Sequence, residues 1–137
     1  MSSARFEFLK KDFVQGFPKF CGFEVIRSDY CVFETRLKVL NKHRQRDGFV
    51  HAGVIATMAD HTCGYASYTT VSEKIRILTV EFKINYFKPA TGPFIICRSK
   101  VINNGRKIKV VEAEVFSISH GIEQLVSKGM FTQIAVP

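Results

Sequence analysis

The chain has 137 residues, a formal net charge of +8 and a hydrophobic content of 46%. This length and composition fit one domain with its own core and exclude a disordered chain, and no apolar run reaches the roughly 20 residues that a membrane-spanning helix requires. Because the basic residues are spread along the chain, the charge favours anionic partners in general and does not select nucleic acid, lipid or a phosphorylated ligand.

The N-terminal segment and the cysteines set further limits. Lys10, Lys11 and Asp12 interrupt the apolar residues near the N-terminus, which therefore has no signal-peptide core, and we expect a cytoplasmic protein. The cysteines are widely spaced and form no C-x-x-C pair, which favours reduced structural thiols over a disulfide framework or a zinc site. No histidine spacing supports a metal site either. The cysteines are Cys21, Cys31, Cys63 and Cys97.

The first third of the chain predicts a helix followed by two strands. Apolar residues at spacings of three and four, from Phe6 to Phe17, predict an amphipathic helix over about residues 4–17, which Gly16 and Pro18 end. Two strands joined by a turn at 28–30 follow, and the next segment is polar and basic, which is typical of a loop. The strands are predicted at 22–27 and 31–40, and the loop at 41–48.

Residues 52–70 are apolar around most of the helical circumference, which predicts one long helix buried on nearly all sides. Four strands are predicted after it, with hairpin turns at 103–105 and 120–121. A shift of apolar parity between Val110 and Val111 predicts a bulge in the third of these strands. The natural arrangement is a single α+β domain over residues 1–137, an antiparallel sheet wrapped around one long central helix, with a short N-terminal helix. The four strands are predicted at 78–88, 94–102, 108–118 and 123–134.

The segment from Gly48 to Asp60 carries the strongest functional signal. His51 and two small residues, Ala52 and Gly53, stand at the start of the predicted helix, where backbone N–H groups are open to an oxygen ligand. Asp60 is a lone carboxylate inside the same apolar helix, where an unpaired charge is costly. Together these residues predict a site that polarises a carbonyl group and attacks it.

Three pieces of sequence occur in a fixed order: Gly48-x-x-His51-Ala52-Gly53, the aspartate nine residues after the histidine, and the strand and turn from Thr79 to Ala90. Together they resemble the hotdog-fold acyl-CoA thioesterases, specifically the PaaI-like group, over about residues 20–132. The resemblance implies a single hotdog domain that hydrolyses an acyl-CoA thioester to a free carboxylic acid and CoA. It implies no metal or redox cofactor, since coenzyme A is part of the substrate.

The resemblance also implies a role for each matching residue. Two residues depart from the family pattern: Ala52 replaces the first glycine of the H-G-G motif, and Gln45 replaces an asparagine six residues before the histidine. A backbone N–H donor tolerates the first change as long as φ stays negative. The implied roles are carbonyl polarisation by the N–H groups of Ala52 and Gly53, water activation or direct attack by Asp60, water positioning by Thr79, and thioester positioning by Gln45 and His51.

His51 and Asp60 are nine residues apart on the predicted helix, which separates them by about 13 Å along the axis and about 180° around it. They cannot easily share one small site within a chain. A two-fold dimer that presents the aspartate of one chain to the helix start of the other removes the difficulty, and the resemblance implies the same arrangement, with two composite sites. We therefore expect a homodimer or a dimer of dimers. His61, about 100° from Asp60 around the helix, is expected to be structural or to lie at the dimer interface.

Basic residues near turns are candidates for binding the phosphates of CoA, and Lys88 and the turn Gly105-Arg106-Lys107 carry this prediction. Two alternatives stay open. One is a non-catalytic acyl-CoA-binding or regulatory module on the same fold, and the other is a hotdog hydratase or dehydratase, in which the Asp and His are typically placed differently around the helix. No nucleic-acid partner is expected, because no nucleic-acid-binding motif accompanies the charge, and no membrane partner is expected either.

Overall fold

In the computed structural model, which describes residues 2–137, a six-stranded antiparallel sheet packs one face against a long helix. The predicted α+β architecture is confirmed, and Met1, the first residue of the predicted domain, lies outside the described residues. The helices are α1 (Ser3–Phe13), α2 (Gly16–Cys21) and α3 (Ala52–Tyr68), with a short 3-10 helix at Asn41–His43. The strands are β1 (Glu24–Asp29), β2 (Val32–Lys38), β3 (Arg76–Tyr86), β4 (Phe94–Asn104), β5 (Ile108–Ser119) and β6 (Ile122–Val136).

The strand order in the sheet is β1-β2-β4-β5-β6-β3, and every neighbouring pair is antiparallel. Direct connections join β1 to β2, β4 to β5 and β5 to β6. Between β2 and β3 the chain passes through α3, which crosses one face of the sheet and carries the chain to the far side of β6. β3 is therefore an edge strand, and its outer edge has no partner strand in residues 2–137.

The core forms between α3 and the sheet because each contributes one apolar face. Along β5 the side chains at odd positions from 109 to 117 are buried and most of the intervening ones are half-buried, the two-residue period of a strand covered on one side. The helix contributes Met58, Ala59, Cys63 and Ala66, all completely buried. This contact removes apolar surface of both elements from water and sets the position of α3 on the sheet.

The N-terminal helix is shorter than predicted. α1 ends at Phe13, because Val14 and Gln15 leave the helical conformation with ψ of 68° and 152°. A second helix starts at Gly16, which has a positive φ of 57°, and runs to Cys21. Pro18, predicted to end the helix, lies in the first turn of α2, where a missing N–H costs no intrahelical hydrogen bond. The predicted helix over 4–17 is therefore corrected to two helices.

The predicted bulge lies on β4 and not on β5. Val101 pairs with Val111 and Asn103 with Val110, so Ile102 is the extra residue. The burial pattern of β5 alternates without a break, since residue 109, a lysine, is buried at an inward-facing position. The apparent shift of the apolar pattern between Val110 and Val111 thus arose because a charged residue, Lys109, occupies a core position.

Other boundaries shift by one or two residues. The turn predicted at 28–30 lies at Tyr30 and Cys31, where Cys31 has a positive φ of 64°. His120 and Gly121 form the predicted two-residue hairpin turn, with φ of 52° and 74°. α3 ends at Tyr68 instead of residue 70. Among residues 2–137, no helix is both long and apolar enough to cross a bilayer.

Candidate active site

The loop that leads into α3 is held in place by His43, which is buried. Its Nδ1 accepts the Leu40 N–H at 2.9 Å, so its Nε2 carries the proton and donates to the Cys21 carbonyl at 2.6 Å. Its own carbonyl accepts the His51 N–H at 2.8 Å. Sequence reasoning missed His43, because its burial depends on the packing of α2 over a loop that is polar in sequence.

His51 is the N-cap of α3, and its imidazole Nδ1 accepts the backbone N–H of Gly53 at 2.8 Å. An accepting Nδ1 is unprotonated, so the neutral ring carries its proton on Nε2, which is free to donate. The His51 carbonyl accepts the next two N–H groups, from Val54 and Ile55. The Ala52 N–H has no acceptor among residues 2–137. Of the two N–H groups predicted to be open, one is open and one is capped by the histidine.

A cavity of about 480 Å³ opens beside this helix start. Its polar side chains are Gln45, His51, Tyr86 and Lys88, and the rest of its wall is apolar. A concave, mostly apolar cavity with a few polar groups is the usual form of a small-molecule site. The apolar wall is formed by Phe49, Val50, Ala52, Ile55, Phe87, Pro89 and Ala90.

Two polar groups of this cavity are oriented by bonds to the backbone. The Asp47 N–H donates to the Oε1 of Gln45, which leaves the Gln45 amide N–H groups for a ligand. The Tyr86 hydroxyl donates to the Ala52 carbonyl at 3.0 Å, and burial raises the pKa of Tyr86, so this phenol stays protonated. Tyr86 was not predicted as a site residue, although its place at the end of the alternating β3 pattern could have suggested it.

Asp60 faces a different cavity, of about 320 Å³, on the outward side of α3. Its Oδ1 accepts the hydroxyl hydrogen of Thr79 at 2.7 Å, while its Oδ2 has no hydrogen-bond partner among residues 2–137. Gly64, which has no side chain, lines the same cavity. The structure thus brings Asp60 and Thr79 together, and it places both in a different cavity from His51 and Gln45.

Gln133 on β6 holds α3 from inside the core. It is completely buried, and in the orientation that satisfies its neighbours its amide N–H groups donate to the Ser67 hydroxyl at 2.6 Å and the Cys63 carbonyl at 3.2 Å, while its oxygen accepts the Gly64 N–H at 3.1 Å. It therefore fixes α3 beside the Asp60 cavity, which Gly64 lines. Sequence reasoning missed Gln133, although a glutamine at an inward-facing strand position is a signal in itself, because a buried amide must find partners.

Residues 47–123, more than half of the chain, match the family model of the Thioesterase superfamily. The chain belongs to the thioesterase superfamily. A predicted esterase of Saccharolobus solfataricus is 33% identical over 97 residues, which are 70% of this chain and 68% of the relative. These similarities establish a hydrolase of the thioesterase type as its general class.

Solved structures confirm that this thioesterase-superfamily chain has the predicted hotdog fold. A thioesterase family protein from Silicibacter pomeroyi is 28% identical with a TM-score of 0.91, and the match covers 96% of this chain and 98% of that one. A Streptococcus mutans protein, solved bound to acetyl CoA, is 25% identical with a TM-score of 0.76, and the match covers 84% and 89% of the two chains.

Two groups in this thioesterase-superfamily chain are structural. His61, next to Asp60, contacts the Phe13 carbonyl through Nε2 at 3.0 Å, and its ring packs against the rings of Phe13 and Tyr65. Burial lowers the pKa of His61, against the opposing effect of that carbonyl. The cysteines are free, and burial raises the pKa of Cys97 to about 12, so this thiol is no nucleophile at neutral pH.

The basic residues predicted to bind CoA phosphates lie at opposite ends of α3. Lys88 lines the cavity at the helix start, whereas Gly105 and Arg106 line a third cavity, of about 430 Å³, beyond the helix end. Lys107 is exposed and lines neither cavity. Within one chain these residues do not come together. No cluster of metal-ligating side chains occurs in the part of the chain that the structure describes.

Proposed function

We propose that this chain is an acyl-CoA thioesterase of the PaaI-like group, which hydrolyses an acyl-CoA thioester to a free carboxylic acid and CoA. The observation that carries the proposal is the hydrogen bond from Thr79 to Asp60 beside an open cavity, with the second carboxylate oxygen left for a ligand. Thioester hydrolysis needs an oriented carboxylate that can reach water or the acyl carbon, and this one meets the requirement.

The proposed enzyme is a homodimer, because the edge strand β3 exposes a row of apolar side chains. Leu78, Val80, Phe82 and Phe87, on β3 or just after it, are each between 43% and 59% exposed. A long unpaired edge with apolar side chains is a template for a second strand. Pairing of β3 with β3 of a second copy about a two-fold axis covers this edge, and it lets Asp60 of one subunit complete the cavity at the α3 start of the other.

In the composite site, the thioester carbonyl lies at the start of α3. The Ala52 N–H and the Nε2–H of His51 donate to its oxygen and stabilise the negative charge that develops during attack. The Gly53 N–H joins them only when the His51 ring turns away, because the ring accepts that N–H in the structure. The Gln45 amide, in the same cavity wall, adds a further donor. Loss of one such donor typically costs on the order of 3 kcal/mol in the transition state.

Asp60 of the partner subunit supplies the attack in one of two ways. As a general base it takes a proton from water while the water oxygen bonds to the carbonyl carbon. The C–S bond then breaks, and CoA leaves as a thiolate, which takes up a proton. As a nucleophile it displaces CoA to form a mixed anhydride, which water then cleaves. In both routes the Thr79 hydroxyl holds the carboxylate, and its oxygen helps to position the water.

The similarity to a Streptococcus mutans protein bound to acetyl CoA supports CoA as the leaving group. The net charge of +8 also favours a ligand that carries several phosphates. In this mechanism coenzyme A enters as part of the substrate, and the chemistry needs no metal or redox cofactor. The residues proposed to contact the CoA phosphates are Lys88, Gly105, Arg106 and Lys107.

A panel of acyl-CoA thioesters, aliphatic and aromatic, with colorimetric detection of the released thiol tests the proposal. We expect turnover of at least one member, and the preferred acyl group defines what fills the apolar cavity at the helix start. Asp60→Asn is expected to fold and to form the same oligomer but to lose at least about 100-fold in kcat.

The matched control is Glu24→Gln, which makes the same acid-to-amide change at an exposed ion pair with Arg36 on the opposite edge of the sheet. It is expected to retain wild-type turnover. Binding of acyl-CoA without any turnover by the wild type would instead indicate the non-catalytic module. Turnover by Asp60→Asn equal to that of the wild type would refute the assigned role of the carboxylate.

A further inference from the structure

Lys109 is a buried cation that the proposed mechanism leaves unused. It lies on the inward face of β5 and is 3% exposed. Its Nζ donates to the Asn104 Oδ1 at 2.6 Å and to the Gly105 carbonyl at 2.9 Å, both of which are neutral acceptors. Among residues 2–137, no carboxylate lies within ion-pair distance of it. An ammonium has three N–H donors, so one donor remains and the positive charge is uncompensated.

This ammonium belongs to the wall of the third cavity, of about 430 Å³, beyond the end of α3. The charged residues in that wall are Lys109 and Arg106, so its charge is entirely positive. The Arg106 side chain forms no hydrogen bond or ion pair with the described residues and is exposed to a ligand. Ser72 in the same wall contributes a hydroxyl that accepts the Lys74 N–H and keeps its hydrogen for a ligand. The volume is within the range of small-molecule sites, and its chemistry suits an anion.

The third cavity follows the Asp60 cavity along α3. Tyr68 and Ile77 line the Asp60 cavity, and Thr70 and Ile75, two positions away from each, line the third one. Eight residues of α3 separate Asp60 from Tyr68, which corresponds to about 12 Å at the rise of a helix, and Thr70 lies just beyond the helix end. Burial lowers the pKa of Lys109, the expected effect of removing an unpaired ammonium from water. An anion bound there would restore the missing counter-charge.

We propose that Lys109 and Arg106 form a phosphate-binding subsite, which holds a phosphoryl group of the CoA moiety while the thioester lies at Asp60 of the same subunit. The inference rests on the proposed function and deepens it. The buried ammonium donates its free N–H to a phosphate oxygen, and the guanidinium of Arg106 donates two parallel N–H bonds at the cavity mouth. The pantetheine arm is a linear chain that spans the distance from the Asp60 cavity to the third cavity.

The experiment compares two substrates with the same acyl group, one carried on CoA and one on pantetheine, which has no phosphates. Lys109→Met keeps the length of the side chain and removes its charge at a buried position, and circular dichroism checks that the variant is folded. Arg106→Met makes the same change at the exposed rim. The control is Lys11→Met, an exposed residue of α1.

For Lys109→Met and Arg106→Met we expect KM for acyl-CoA to rise by about tenfold or more, since a hydrogen bond to a charged group carries such a factor. The kinetics of the acyl-pantetheine substrate should be unchanged. Calorimetric binding of adenosine 3′,5′-bisphosphate should weaken by a similar factor. The Lys11→Met control should alter none of these values.

An equal effect on both substrates, or none on acyl-CoA, overturns the subsite. Inorganic phosphate is the second ligand in the binding experiment. If it binds the wild type as tightly as the bisphosphate does, the cavity is a free-phosphate site and the assignment to CoA fails. The binding arm is independent of catalysis. If no thioester is cleaved but bisphosphate binding depends on Lys109, the proposed function fails while the phosphate subsite stands. If acyl-pantetheine is cleaved but the bisphosphate does not bind, the proposed function stands and the phosphate subsite fails.

Discussion

The imidazole of His51 accepts the N–H of Gly53 at 2.8 Å, so the residue that precedes α3 also caps its first turn. The same bond determines which ring nitrogen carries the proton, and it leaves Nε2–H free to donate. The histidine thus has a structural role, which any good N-cap can fill, beside the proposed chemical role, which needs an imidazole.

Substitutions at position 51 separate these two roles. His51→Ala is expected to lower the free energy of unfolding by about 1 kcal/mol, because the Gly53 N–H loses its acceptor. His51→Asn keeps a side-chain oxygen at the cap and should retain most of that stability. Both variants lose the Nε2–H donor, so both should lose about tenfold or more in kcat/KM for acyl-CoA.

Chemical denaturation followed by circular dichroism measures the stability of these variants, and steady-state kinetics measures the activity. Equal destabilisation by the two variants would show that the cap is not the source of the effect. A kcat/KM of His51→Asn equal to that of the wild type would show that the imidazole has no role in the mechanism.

Subunit mixing tests whether the site is composite. A heterodimer of one Asp60→Asn subunit and one His51→Asn subunit contains one site with both residues intact and one with neither. Random mixing of the two impaired variants by joint refolding is therefore expected to restore at least about a quarter of wild-type activity, since half of the dimers are mixed and each has one working site.

If the two residues acted within one subunit, each site in the mixture would still carry one defect, and activity would stay at the level of the single variants. Sedimentation of the mixed sample confirms that the subunits have dimerised, and native mass spectrometry, which resolves the mass difference between the two variants, confirms that they have exchanged. Mixing Asp60→Asn with itself is the matched control.

The hydrogen bond from Thr79 to Asp60 predicts a loss confined to turnover. Thr79→Val removes the donor at nearly constant volume and should lower kcat by about tenfold to a hundredfold, the usual effect of a hydrogen bond to a charged group, with little change in KM. Thr79→Ser keeps the hydroxyl and should stay close to the wild type. Initial rates over a range of acyl-CoA concentrations separate the two constants, and a pure KM effect would assign Thr79 to substrate binding instead.

Gln133 should act through the position of α3, the helix that carries Asp60. Gln133→Leu leaves the buried Ser67 hydroxyl without its partner, so we expect a loss of about 1–3 kcal/mol in stability and a lower kcat with KM unchanged. The double variant Ser67→Ala with Gln133→Leu removes both polar groups and should recover stability but not kcat. Recovery of both would show that Gln133 has only a structural role.

The buried His61 predicts a specific dependence of stability on pH. Burial lowers its pKa from the ordinary value of 6.5, so the native state binds fewer protons than the unfolded state. Its contribution is fully present above that value and is lost as the pH falls towards the native pKa. The free energy of unfolding should therefore fall more steeply between about pH 7 and pH 5 in the wild type than in His61→Asn.

Urea denaturation at several pH values measures this difference. His120→Asn, in the exposed β5–β6 turn where asparagine suits the positive φ, is the matched control and should keep the wild-type slope. An unchanged slope in His61→Asn would show that His61 is not the titrating group.

Much of the fold could be predicted because its signals are local. The alternation along β6 and the apolar run of α3 depend on which side chains face the core, and that information is present in each segment separately. The failures also have a local cause. Lys109 disguised the alternation of β5 because it is charged at a core position, and Pro18 was interpreted as a stop because the direction of α2 depends on Gly16.

Of the candidate site, the positions of Asp60, His51 and Thr79 follow from motif and helical spacing, since nine residues of helix separate two groups in any protein. The hydrogen-bond partners do not follow from spacing. Whether the Gly53 N–H meets a substrate or the His51 ring, and whether Gln133 and Lys109 are buried, depends on how distant segments pack. These contacts join residues far apart in the chain, so the pattern within each segment specifies the elements and the chemical groups, and the packing between elements decides which of those groups meet.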